Sequence, residues 1–206
     1  MDLKQTYNKI AQDWHKDHAD DTWWIASMEA FLARLPKNSL VLDVGCAGGI
    51  KARFMMERGM RVIGIDIAEK FIDIAKHENP EGDFRVLDMM NIGSMSERFD
   101  AICAQASLLH IPKQHIPLVM AGFSTVLKPG GRLAIAVKER RPHQPEEQMV
   151  VEDDYGYTYE RFFRYFSEDE MRDAYAEAGI LCQECHRIDA GKTRWLHLVG
   201  IKKTNN

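Results

Sequence analysis

The 206-residue sequence predicts an α/β chain, a doubly wound and mostly parallel sheet with helices on both faces. Three observations predict it. Short β-branched runs alternate with longer amphipathic stretches, the rhythm of βα units. Glycines cluster where the first such run gives way to a helix. The C-terminal part holds two apolar runs joined by the tight turn Asp189-Ala190-Gly191-Lys192, the pattern of an antiparallel hairpin.

Residues 1–35 are helical in pattern and rich in aromatics (Tyr7, Trp14, Trp23, Trp24, Phe31), bounded by Pro36. They suit a cap laid over the sheet. Leu40–Val44 is a buried-strand run, followed by a helix from Gly49 to about Arg58 that Gly59 closes. Arg61–Asp66 is the second strand and Glu69 to about Glu78 its helix, stopped by Asn79-Pro80. Phe84–Asp88 and Phe99–Gln105 are the third and fourth strands. A helix from about Gln114 to Leu127 ends at Lys128-Pro129-Gly130-Gly131, and a fifth strand runs from Arg132 to Lys138. The rhythm then breaks. Residues 139–165 carry two prolines, the acids Glu152, Asp153 and Asp154, and Tyr155, Tyr157 and Tyr159; a stretch this long between elements reads as a lid or substrate insertion. Ser167 to Glu170 is a capping box for a helix to Ala178-Gly179. Ile180–Ile188 and Thr193–Ile201 form the hairpin, and the whole chain reads as a single domain.

Lys and Arg number 27 against 31 Asp and Glu, a net charge of −4 with a pI near 6.1. That leaves no basic field for nucleic acid. No apolar run approaches the roughly 20 residues of a membrane span, and the N-terminus lacks an export profile. Four scattered cysteines make no disulfide scaffold. A soluble, reduced, cytoplasmic chain is expected; its oligomeric state is not legible.

The chemistry is concentrated at Val41-Leu42-Asp43-Val44-Gly45-Cys46-Ala47-Gly48-Gly49. Glycines between strand and helix let the backbone approach a ligand, while free N–H groups of the helix face it. The spacing is not the G-x-G-x-x-G of dinucleotide sites. Asp43 lies inside the first strand, Asp66 ends the second and Asp88 ends the third. Strand carboxyl ends line one crevice in such sheets. A carboxylate at the second tip can accept both ribose hydroxyls, one at the third can take an adenine amino group, and Asp43 can favour an ammonium. Three carboxylates would repel a diphosphate, so the set fits an adenosine with a charged amino-acid tail.

These residues resemble a class I S-adenosylmethionine-dependent methyltransferase of the small-molecule type, from about Leu40 to Ile201. The similar motifs also include Gly64-Ile65-Asp66-Ile67, Leu87-Asp88-Met89, Ser107-Leu108-Leu109-His110-Ile111-Pro112, Leu127-Lys128-Pro129-Gly130-Gly131-Arg132-Leu133 and Arg161-Phe162-Phe163-Arg164-Tyr165-Phe166-Ser167. The resemblance implies a Rossmann-like seven-stranded sheet whose last strand is antiparallel, and S-adenosyl-L-methionine as cofactor. It places Gly45, Cys46, Ala47 and Gly48 at the methionine moiety. Asp66, followed by Ile67, is placed at the ribose, and Asp88 with the Met89 backbone at the adenine. Gln105 and Ala106 fall at the methionine end, with Tyr7 and Trp14 over the cofactor. Ala47 stands where the family usually has glycine; Gly48 is expected to supply the missing freedom.

The implied reaction is methyl transfer to an O or N atom of a small-molecule acceptor. His110, on the rim after the fourth strand, is the first candidate base, with a loop-fixing histidine as the plain alternative. The three tyrosines share a face if extended and could line the acceptor pocket; the acids beside them could favour a cationic acceptor, with a solvated charge run as the plain alternative. A module that binds S-adenosylmethionine or its demethylated product without turnover, or a nicotinamide-dependent oxidoreductase, are the competing functions. Cys182-Gln183-Glu184-Cys185-His186 matches a haem-attachment pattern, but in a strand its cysteines should point to opposite faces. No metal site is expected; His15 and His18 among acids read as a solvated helix face.

Overall fold

Buried parallel strands need apolar residues on both faces, and that requirement builds the centre of the molecule. The computed structural model describes residues 2–204. Strands β1 (Leu40–Val44), β2 (Arg61–Asp66), β3 (Asp83–Val86), β4 (Phe99–Gln105) and β5 (Leu127–Lys138) are parallel; β8 (Ile180–Ala190) and β9 (Thr193–Lys202) complete a seven-stranded sheet ordered β3-β2-β1-β4-β5-β9-β8. β9 runs antiparallel to both neighbours, as the hairpin requires. Helices α2 (Ile25–Leu32), α3 (Ile50–Glu57) and α4 (Glu69–Glu78) bury Met28, Phe31, Met55 and Ile72 against one face. On the other, α5 (Ile116–Val126) and α6 (Glu168–Glu177) bury Val119, Phe123, Met171 and Tyr175. Strand order reverses between β1 and β4, so their carboxyl ends part and open a crevice. Among the described residues no helix is long and apolar enough to cross a membrane.

Helix α1 (Leu3–Asp17), capped by Asp2, lies across that crevice. It is pinned to the start of α4, where Asn8 Nδ2 donates to Glu69 at 2.7 Å and the Lys70 N–H donates to Asn8 Oδ1 at 2.9 Å. The stretch expected as a lid or insertion holds an antiparallel hairpin, β6 (Glu147–Glu152) and β7 (Tyr159–Arg164), outside the main sheet. Its tip reaches α1, with Tyr157 Oη donating to Asp13 at 2.7 Å and Lys9 Nζ to the Thr158 carbonyl at 3.0 Å.

Four expectations need correction. The third strand stops at Val86, because the Asp88 side chain accepts the Met90 N–H at 2.9 Å and starts a 3₁₀ turn. The fifth helix starts at Ile116, not Gln114, with Pro117 in its first turn and two 3₁₀ turns before it. β5 begins at Leu127, its pairing with β4 shifting between Phe99 and Ala101. Lastly, a bulge between Cys182 and Glu184 resets the alternation of β8, so Cys182 and Cys185 both pack against the cluster that α6 covers.

Candidate functional site

The glycine turn is shaped from both ends. Gly45 and Cys46 N–H groups donate to the Ile65 carbonyl at 2.8 and 3.0 Å, tying β1 to β2. Gly45 has a φ of +72°, and a Cβ there would collide with the Ser107 side chain. Ser107 Oγ in turn donates to the Val44 carbonyl at 2.6 Å, closing the turn against β4. The left-handed residues are Gly45, Ala47 (φ +47°) and Gly49 (φ +81°). Gly48 is not among them, so Ala47 itself takes the conformation assigned above to Gly48. Gly48 is required instead because His15 of α1 crosses over it, where a Cβ would meet the imidazole.

Asp66 braces that strained turn. One carboxylate oxygen accepts the Ala47 N–H at 3.1 Å and the other the Ala68 N–H at 2.9 Å. Burial pushes its pKa up to about 6, against the pull of those N–H donors. Asp43 is 1 % exposed, and burial raises it to about 7 although the Lys51 ammonium opposes the shift. Its Oδ2 has no partner among the described residues, and neither does Gln105 Oε1. Two unpaired buried acceptors near the β1 and β4 ends, Asp43 level with Cys103 and Gln105 two residues further along, point to donors that a ligand would bring.

One cavity of about 480 Å³ joins these parts, within the size range of small-molecule sites. Tyr7, Trp14, Gly45, Cys46, Ala47, Gly48, Asp66, Ile67, Asp88, Met89, Gln105, Ala106 and His110 all reach its wall, whereas Asp43 lies buried behind it. Tyr155, Tyr157 and Tyr159 do not line it. They cluster at the β6–β7 tip, where the rings of Tyr155 and Tyr159 stack 5.6 Å apart. Of the acids beside them, Glu152 is engaged by Arg161 at 2.5 Å and Asp154 accepts from Tyr159 at 3.1 Å. The expectation of a tyrosine-lined pocket is therefore overturned, and the acids beside the tyrosines take no part in the cavity wall.

His110 also differs from the free base considered above. Its Nδ1 faces the Phe162 carbonyl at 2.7 Å and must donate there, which leaves Nε2 to accept the Tyr7 hydroxyl at 2.6 Å. Burial lowers its pKa to about 3, so the ring is neutral with both nitrogens committed. The loop-fixing alternative describes it: His110 holds Tyr7 of α1 onto β7. Several wall residues escaped sequence reasoning. Lys51 was legible, standing two residues past the glycine turn. Lys138, Arg161, Trp23 and Trp195 converge only through tertiary pairing, with Trp23 and Trp195 stacked at 4.5 Å.

Comparison with known proteins fits this geometry. Residues 41–131, from β1 through the start of β5, match the family of methyltransferase domains. Over residues 41–131 the chain is thus similar to methyltransferase domains. Among curated relatives of this chain, the ubiquinone biosynthesis O-methyltransferase of Xanthomonas axonopodis is 31% identical over 121 residues, 56% of this chain and 50% of the relative. The namesake enzyme of Chromobacterium violaceum is 38% identical over 96 residues, 44% and 40% of the two chains. The chain thus spans about half the length of the curated relatives it matches. In fold it is similar to the 1,6-didemethyltoxoflavin-N1-methyltransferase of Burkholderia thailandensis, crystallised with 1,6-didemethyltoxoflavin and S-adenosylhomocysteine (TM-score 0.77, 19% identity, 98% of this chain and 88% of that one).

Proposed function

We propose that this chain binds S-adenosylmethionine and moves its methyl group to an oxygen or nitrogen atom of a small-molecule acceptor in the cytoplasm. The observation that carries the proposal is one cavity walled at once by the glycine turn, the Asp66 and Asp88 tips and Gln105. In this reading Asp66 takes the ribose hydroxyls, while Asp88 and the Met89 backbone take the adenine edge. The unpaired Gln105 oxygen serves the amino-acid end, and Asp43, buried behind the wall, acts on its ammonium through charge alone. Lys51, its pKa lowered by burial and supported by Asp43 and Asp21, pairs with the carboxylate of that end.

The cofactor supplies an electrophilic methyl on a sulfonium whose leaving group is a neutral thioether. The protein has to align an acceptor atom behind that carbon and exclude water, an orientation effect worth about 7–11 kcal/mol. Tyr7, Trp14 and Phe71 roof the site from α1 and α4, and His110 acts as a positioning residue by fixing Tyr7. A module without turnover would not need the open half of the cavity beyond Gln105, toward Lys138 and Trp195.

Calorimetry with S-adenosylhomocysteine tests the reading. Asp66→Ala should weaken binding by about 100-fold, the scale of two lost charge-assisted hydrogen bonds, and Asp66→Asn by less. Unchanged affinity, or stronger stabilisation by a nicotinamide nucleotide in a thermal-shift series, would remove the proposal.

A further inference from the structure

The two halves of the cavity carry opposite charge. Asp21, Asp66 and Asp88 lie along the wall on the glycine-turn side, with Asp43 buried behind it. The far half is walled by Lys138, Arg161, Phe163, Trp195, Leu109 and Ile111, and among the described residues no carboxylate lies on its wall. Arg161 is already neutralised, because its guanidinium makes two bonds of 2.5 Å to Glu152. Lys138 is not. Its Nζ sits 3.9 Å from the centre of the Phe163 ring and has no hydrogen bond or ion pair among the described residues. Burial lowers its pKa to about 8, with Arg161 pushing the same way and Glu152 opposing, so at neutral pH it remains mostly an ammonium.

Its placement follows from the sheet. Lys138 ends β5 directly across from Trp195 of β9. The side chain therefore leaves the same face as Trp195, whose ring is stacked under Trp23. Ala136 lies two residues earlier and pairs with Gln105, so Lys138 stands one pleat beyond the methionine end of the site. A half-buried cation without a counter-ion, set among aromatic and aliphatic walls, is costly unless a ligand completes it.

Resting on the methyl-transfer reading, we propose that the acceptor is a small, mostly apolar acid whose anionic group, a carboxylate or an ionised phenol, pairs with Lys138 Nζ. The apolar body lies against Trp195, Leu109 and Ile111, and the Arg161–Glu152 pair closes the pocket from β7 without offering a second free charge. Lys138 thus selects the substrate by charge, whereas Lys51 serves the cofactor.

Probe binding to the full chain saturated with S-adenosylhomocysteine tests this, using benzoate, 4-nitrophenol, benzamide and benzylamine as ligands of one size. Expected is binding of benzoate, of 4-nitrophenolate, or of both, at least about tenfold tighter than benzamide or benzylamine. Benzoate alone identifies a carboxylate as the anchor. If 4-nitrophenol binds, its absorbance should show the bound phenol ionising at lower pH than the free one. In Lys138→Met the preference should vanish while S-adenosylhomocysteine affinity stays within about twofold, and Lys138→Arg should restore it. Equal binding of charged and neutral probes, preference for benzylamine, or no binding of any probe would overturn the inference while leaving the cofactor site standing. So would a tenfold loss of S-adenosylhomocysteine affinity in Lys138→Met, which would make Lys138 a cofactor residue. Failure of the unmodified chain to bind S-adenosylhomocysteine would remove both readings.

Discussion

The Asp66 carboxylate accepts N–H bonds from Ala47 and Ala68, so the turn holds its shape before any ligand arrives. Part of that bracing offsets a cost. Ala47 and Ala106 both have positive φ at the cavity wall, a conformation that costs an L-residue about 1–2 kcal/mol. Ala47→Gly should relieve the strain at an entropic cost of about 0.5–1 kcal/mol. The net gain expected is about 0.5–1 kcal/mol, or a Tm rise of about 1–4 °C, with cofactor affinity retained. A fall in Tm would show that the methyl is packed rather than tolerated. Tyr7 offers the opposite case. Tyr7→Phe strands the buried Nε2 of His110, which costs about 1–3 kcal/mol. A double-mutant cycle with His110→Leu should return much of that loss, and strict additivity would break the pairing.

At the scale of elements, the sequence was most legible where strands are buried on both faces. The bounds expected for β2, β4 and α4 are those observed, because a continuous apolar run between punctuating residues admits few alternatives. The β6–β7 hairpin was not legible. β6 has no buried position, with Met149 and Val151 largely in solvent, β7 shows no regular alternation, and the hairpin tip is held by contacts with distant α1. The site divides in the same way. The glycine turn and the acids at strand ends recur with the βα period, whereas Lys138 meets Trp195 only through the β5–β9 register. The α1–hairpin clasp is a prediction at this scale. The Tyr157–Asp13 hydrogen bond is exposed and worth at most about 1 kcal/mol, so Tyr157→Phe should scarcely move Tm. Hydrogen exchange of α1 amides should nevertheless quicken and S-adenosylhomocysteine dissociate several-fold faster, since α1 roofs the cavity. Unchanged exchange in α1 would mean that its packing on α4 alone secures it.

Across the whole molecule, buried titratable groups set opposing responses to pH. Burial raises Asp43 to about 7 and Asp66 to about 6, and it lowers His110 to about 3 and His197 to about 4. The raised carboxylates contribute stability that is full below their unfolded pKa near 4 and is lost as pH rises through 6 and 7. The lowered histidines contribute stability that is full above about 6.5 and is lost as pH falls toward 4. The two sets offset each other between about pH 4 and 6.5, and only the carboxylate loss continues above it. Asp43→Asn removes most of that loss. Its Tm should exceed the native chain's at pH 8, by a stability on the order of 2–4 kcal/mol, and converge with it near pH 4. Cofactor binding should respond in the reverse direction. Ribose hydroxyls and an ammonium favour ionised Asp66 and Asp43, so affinity for S-adenosylhomocysteine should fall as pH drops from 8 to 5, with proton release visible as a buffer-dependent enthalpy in calorimetry. In Asp43→Asn that release should shrink by about one proton near pH 6. A variant that is more stable at pH 8, binds more weakly and still releases the full complement of protons would exclude Asp43 as the linked group.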